Sequence, residues 1–104
     1  DPRLHSSLGI AYAALGQKEE AIREGIRGTE LLTREDDGFY YQPFVIDLAH
    51  IYTIIGEYDL ALDQIEHLLT NPSWITPAFL EMDPRWAPLR DLPRYQALIE
   101  KHAM

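Results

Sequence analysis

The chain has 104 residues, enough for one domain that buries about 60–65% of the surface its unfolded form exposes. It is acidic, with 17 Asp and Glu against 9 Lys and Arg and a net charge of −8, which disfavours nucleic acid and anionic membrane as partners because both are bound through cations. It has no cysteine, so disulfides, thiolate metal sites and cysteine nucleophiles are excluded, and no apolar run approaches the roughly 18 residues of a membrane span.

Leu4, Leu8, Ala11, Tyr12 and Leu15 recur at helical spacing and stop at Gly16, a signal for the end of a first helix. A second helical pattern runs from Lys18 through Ala21, Ile22, Ile26 and Thr29 to Leu32, with Glu19–Arg23 and Glu24–Arg27 spaced to pair on its solvent face. Gly25 and Gly28 lie inside it, each costing about 1 kcal/mol against alanine. Either they open a slot for Phe39, Tyr40 or Phe44, or they are tolerated on a weak helix. The polar run Thr33–Gly38 reads as a loop. Pro43 belongs in the first turn of the next helix, so Phe39-Tyr40-Tyr41 is either part of that turn or the packed lip of the loop.

A third helix follows through Val45, Leu48, Ile51 and Tyr52 to Gly56, and a fourth through Leu60, Ala61, Leu62 and Ile65 to Leu69. Asn71-Pro72 stops it. Thr76-Pro77 and Asp83-Pro84 each read as an N-cap followed by a first-turn proline, giving short helices near Pro77–Glu81 and Pro84–Leu89. A final helix is expected from Pro93 to His102, apolar at Tyr95, Leu98 and Ile99.

The chain also resembles itself. Leu8 matches Leu48, Gly9 matches Ala49, Tyr12 matches Tyr52, Gly16 matches Gly56, Ala21 matches Ala61 and Ile22 matches Leu62, always 40 positions apart. A helical hairpin of this kind cannot bury both of its apolar faces alone, so it stacks on another. These residues resemble the tetratricopeptide repeat: Leu8-Gly9, Tyr12, Gly16 and Ala21, then Leu48-Ala49, Tyr52, Gly56 and Ala61, sit at that family's spacing. The family period is 34, so the segment between the hairpins carries about six extra residues. Gly25 and Gly28 depart from the pattern, which has a large residue in the middle of the second helix.

The resemblance implies an all-α, right-handed α-α superhelix, with hairpins over 1–33 and 39–70 and a C-terminal cap over 76–103. Trp74, Phe79, Trp86, Leu89 and Leu92 are suited to sealing the exposed end. The string from Met82 to Ile99 resembles the C-terminal end of bacterial tetratricopeptide regions that follow a winged-helix, nucleotide cyclase or Ser/Thr kinase domain. The chain, which opens on Asp1 and not Met, is therefore expected to be a piece of a longer protein, with a lean to the cytoplasm.

No constellation points to catalysis or to a cofactor. Asp63, Glu66 and His67, with Asp59 a turn earlier, offer one histidine where a helical zinc motif has two, and a solvated charged face is the expected reading. No glycine loop cradles a phosphate, no G-x-S-x-G occurs, and the carboxylates fall mostly on faces expected to be exposed. The expected function is non-catalytic binding of a protein or peptide. In the family, the first helices of successive hairpins line a concave face. The resemblance places Ser6, Ile10, Ala13 and Ala14, then Ile46, Asp47, His50 and Thr53, on it. These include no Lys, Asn or Arg, the residues that hold chaperone C-terminal carboxylates. From Glu35 to Pro84 there is no Lys or Arg, so the acidic surface is either a solubilising face or a dock for a basic partner. Leu4, Leu8 and Leu15 would face outward from the first hairpin, which makes a homo-oligomerisation module the alternative.

Overall fold

The computed structural model describes residues 2–33, 38–70 and 75–102, and every regular element among them is helical. Six α-helices run in the order α1 (Pro2–Ala14), α2 (Lys18–Thr33), α3 (Gly38–Ile54), α4 (Tyr58–Thr70), α5 (Pro77–Met82) and α6 (Pro93–His102), with a 3-10 helix at Pro84–Leu89 between the last two.

The helix ends follow from local chemistry. At the end of α1, the Gln17 N–H donates to the Tyr12 carbonyl at 2.9 Å and the Gly16 N–H to that of Ala13 at 3.0 Å. Forty residues on, Glu57 donates to Tyr52 at 2.9 Å and Gly56 to Thr53 at 3.3 Å. This is the paired bonding of a Schellman cap, and it needs a left-handed residue, supplied by Gly16 at φ 79° and Gly56 at φ 85°. The residue after each glycine already accepts the first bond of the next helix, from Ala21 to Gln17 and from Ala61 to Glu57, both at 3.0 Å. Two helices are thus joined with almost no linker. Toward the C-terminus, Thr76 Oγ1 accepts from the Phe79 N–H at 3.2 Å and Asp83 Oδ1 from the Arg85 N–H at 3.0 Å, with Pro77 and Pro84 in the first turns as the sequence predicts.

Pro43 departs from expectation. Helix α3 begins at Gly38, so the proline sits in its second turn, where it cannot supply the N–H that the Phe39 carbonyl would take. The backbone of Phe39-Tyr40-Tyr41 is the helix's first turn; those side chains, the segment 34–37 and Trp74 lie outside the described residues.

Helix α3 is the axis of the packing. Helices α1 and α2 lie against each other and both against α3, α4 packs on α3, the 3-10 helix packs on α3, and α6 on α4. Accordingly α3 is apolar nearly all round: Val45, Ile46, Leu48, Ala49, Ile51 and Tyr52 are all buried. Close approach is made possible by missing side chains. A Cβ on Gly9 would stand 2.6 Å from Ile51 Cδ1, 3.1 Å from the Ala21 carbonyl oxygen and 3.2 Å from the Gly25 nitrogen. The slot at Gly25 is likewise taken by Leu48 Cδ1 and Ile51 Cδ1, each 2.9 Å from a Cβ placed there. Gly25 therefore does open a slot, but Leu48 and Ile51 fill it, one and two turns beyond Phe44. Gly28 is also buried.

Candidate functional site

Four of the eight expected binding positions are packed away: Ser6, Ala13, Ile46 and Thr53 are buried. Thr53 Oγ1 donates back to the Ala49 carbonyl at 2.8 Å, as a buried helical threonine does when no other acceptor is near. Ser6 Oγ has no hydrogen-bond partner among the described residues. Ile10 is half-buried against the core and Ala14 is exposed, both on α1. Asp47 and His50, one turn apart on α3, are half-buried.

Asp47 and His50 meet residues that the spacing of the repeat does not reveal. The 3-10 helix crosses α3 so that Trp86, 1% exposed, stands edge-on to the His50 ring at 6.2 Å between centroids and 71° between planes. Arg85 lies over Trp86 with its guanidinium carbon 5.4 Å from the ring centroid. The same guanidinium holds Asp83 through Nε at 2.9 Å and Nη2 at 2.6 Å. The result is a polar seam of Asp47, His50, Asp83 and Arg85 over a buried tryptophan.

Burial raises the Asp47 carboxyl above its ordinary value, and the Arg85 charge pulls it partly back. Burial lowers the His50 imidazole, helped by Arg85 and opposed by Asp83. The hydrogen bonds from Arg85 hold Asp83 below the usual carboxylate range. The seam thus favours a neutral His50 beside an Asp83–Arg85 ion pair.

A second polar group joins α6 to α4. Arg94 donates to the Asp59 carbonyl at 3.0 Å and to Asp63 Oδ1 at 2.5 Å, reaches Glu66 Oε1 at 3.4 Å, and lies 3.7 Å from the Asp59 carboxylate. These carboxylates are the ones weighed for a metal; the guanidinium sits among them, and no group of three metal-ligating side chains stands together among the described residues. Arg94 also borders a cleft of about 370 Å³ beside the α3–α4 turn, with Glu57, Tyr58, Leu62 and Leu92 among its lining residues. Arg90 turns inward as well, donating to the Leu80 and Asp83 carbonyls at 2.9 and 2.6 Å. Part of the acidic stretch, read from sequence as either a solubilising face or a dock for a basic partner, pairs with arginines of the chain's own C-terminal segment. The one clue in the sequence is order: the first cations after the long cation-free interval are Arg85, Arg90 and Arg94.

No described helix is long and apolar enough to cross a membrane. Comparison of the chain with protein-family models, curated proteins and solved structures finds no match.

Proposed function

We propose that the chain is a non-catalytic protein-interaction module of the tetratricopeptide type. In this reading its two hairpins stack in a right-handed superhelix, its C-terminal elements cap the stack, and a peptide or protein segment lies along the first helices. The module would act beside an effector domain of a longer protein, as the resemblance of its C-terminal string implies. The observation that supports this most is the pair of hairpin turns, bonded alike at positions 40 residues apart. The glycine slot filled by Ile51 supports it too, because repeat arrays are held by such contacts between neighbouring units. Ile10, Ala14, Asp47 and His50 are the expected groove residues that keep exposed surface. They suit an apolar segment carrying a cation that pairs with Asp47.

Selection of a random peptide library on the purified chain tests this. Enriched peptides should combine Lys or Arg with apolar residues and bind Ala14→Arg and Asp47→Lys variants about tenfold or more weakly, a loss of about 1.4 kcal/mol. Circular dichroism of those variants should match the parent. Peptides that bind the variants as well as the parent would remove the groove, and no enrichment would remove the interaction reading.

A further inference from the structure

Helix α1 is apolar on two sides. Small residues form its inner side: Ser6, Gly9 and Ala13 are all buried. On the outer side Leu4, Leu8 and Ala11, with Leu15 just past the helix end, remain exposed, the leucines at 58%, 37% and 70%. Their spacing of four, three and four positions is that of alternating a and d places in a heptad, the pattern that turns one stripe of a helix toward a partner helix. The positions 40 residues on show the same stripe in use. Leu48 and Ile51 on the helix that α1 and α2 cover, and Ile55 just past its end, are 5%, 0% and 8% exposed.

Two features point to a second copy of this chain as the occupant. The first is charge: between Asp1 and Glu19 there is no acidic residue, in a chain that has 17. Two molecules of net charge −8 repel across most of their surfaces, whereas α1 carries no carboxylate and the Glu24 carboxylate beside it is paired with His5. The second is symmetry. The four-three-four spacing reads the same in both directions, so an antiparallel copy sets Leu4 against Leu15 and Leu8 against Ala11, each leucine next to Ala11 filling the space a small residue leaves. A two-fold interface requires this self-complementarity, and the antiparallel sense also opposes unlike helix ends.

We infer that α1 is a homodimer interface, two copies pairing antiparallel along Leu4, Leu8, Ala11 and Leu15. Sedimentation of the intact chain from ~1 to ~300 µM tests it. The weight-average mass should rise from 12.0 kDa to twice that value and stop there. Dimerisation should tighten severalfold between low and physiological salt as the acidic repulsion is screened. Leu4→Glu/Leu15→Glu, at the two most exposed positions, should be monomeric throughout with unchanged helicity, while Met82→Glu on α5 should dimerise as the parent does. Nitroxide labels on Gln17→Cys, in a chain with no other cysteine, should lie more than ~20 Å apart, since the antiparallel register separates these ends by about 15 helical rises. A parent that stays monomeric overturns the proposal. So does association that grows without limit and is abolished by Met82→Glu, or a label separation near the ~10 Å of parallel helices.

Discussion

The turn of the first hairpin and the turn of the second are bonded alike, yet the hairpins bury different things. Gly16 and Gly56 adopt the same left-handed conformation. Leu8 is 37% exposed where Leu48 is 5%, and Leu15 is 70% exposed where Ile55 is 8%. Among the described side chains, α1 and α2 bury the apolar Ala13 and Ala21, whereas α3 and α4 contribute Val45, Leu48, Ile51, Leu62, Ile65 and others. The turns depend on a few consecutive residues and come out the same wherever that pattern recurs. Burial depends on neighbours, and the second hairpin has them on both sides: the first hairpin and the C-terminal elements. One repeated pattern therefore yields two different stabilities, and substitutions should divide along that line.

The largest expected effect is at the C-terminal contact with α3. Trp86 is 1% exposed and carries the seam against His50, so Trp86→Ala should cost about 3–5 kcal/mol in urea unfolding, a large part of the ~5–15 kcal/mol typical of a domain. The matching truncation on the first hairpin, Leu15→Ala at 70% exposure, should change stability by less than about 0.5 kcal/mol at dilute protein concentration. Similar losses from both would show that the hairpins share one core evenly.

Next comes the contact between the hairpins. Gly9→Ala sets a Cβ against the Ala21 carbonyl and the Gly25 nitrogen, which are backbone and cannot swing aside, as well as against Ile51 Cδ1. The expected cost is about 1–3 kcal/mol. Gly25→Ala meets only the tips of Leu48 and Ile51, and about 1 kcal/mol of helix propensity offsets the crowding, so it should be the milder change. Ile51→Val removes the Cδ1 nearest to Gly9 and should recover part, but not all, of the Gly9→Ala loss. Full recovery would mean that the two backbone contacts cost nothing.

What was legible in the sequence were features decided within a few residues. Gly16 and Gly56 mark the helix ends, Thr76-Pro77 and Asp83-Pro84 mark the starts of the short helices, and the 40-residue repeat marks where hairpins stand. The occupant of the glycine slot was not legible, because Leu48 and Ile51 reach Gly25 through the phase of α3 relative to α2, which no local pattern encodes. Nor was the meeting of His50 with Trp86, 36 positions later, or of Asp63 with Arg94, 31 positions later. Repeat spacing nominated eight groove positions as equivalent. Packing then buried Ser6, Ala13, Ile46 and Thr53 and left Ala14 exposed.

Smaller effects belong to the turns. Gly16 and Gly56 have nothing within 4 Å of an added Cβ, so alanine there costs only the left-handed backbone, about 1–2 kcal/mol. Gly16→Ala and Gly56→Ala should therefore lose the same amount, although one turn belongs to the exposed hairpin and the other to the covered one. A difference beyond about 0.5 kcal/mol between them would show that burial reaches into the turn after all.

The subtlest contrast concerns pH, at the seam where the second hairpin meets the C-terminal elements. His50 has its pKa lowered by burial and by Arg85, so the unfolded chain takes up that proton before the folded one does. Its contribution to stability is complete above the unfolded value of about 6.5 and is lost as pH falls through the folded value. The facing groups act elsewhere on the scale or in the opposite sense. Asp83, held low by Arg85, contributes above the unfolded carboxyl value of about 3.9 and loses that contribution only in stronger acid. Asp47, raised by burial, takes up its proton first in the folded chain and so adds stability as pH drops through its raised value. Between about pH 7.5 and 5.5 the difference between parent and His50→Gln isolates the imidazole, and the parent should lose the more thermal stability on acidification. If the parent instead gains on the variant as pH falls, the Asp83 carboxylate outweighs burial and Arg85 at that ring, and the seam holds an imidazolium rather than a neutral histidine.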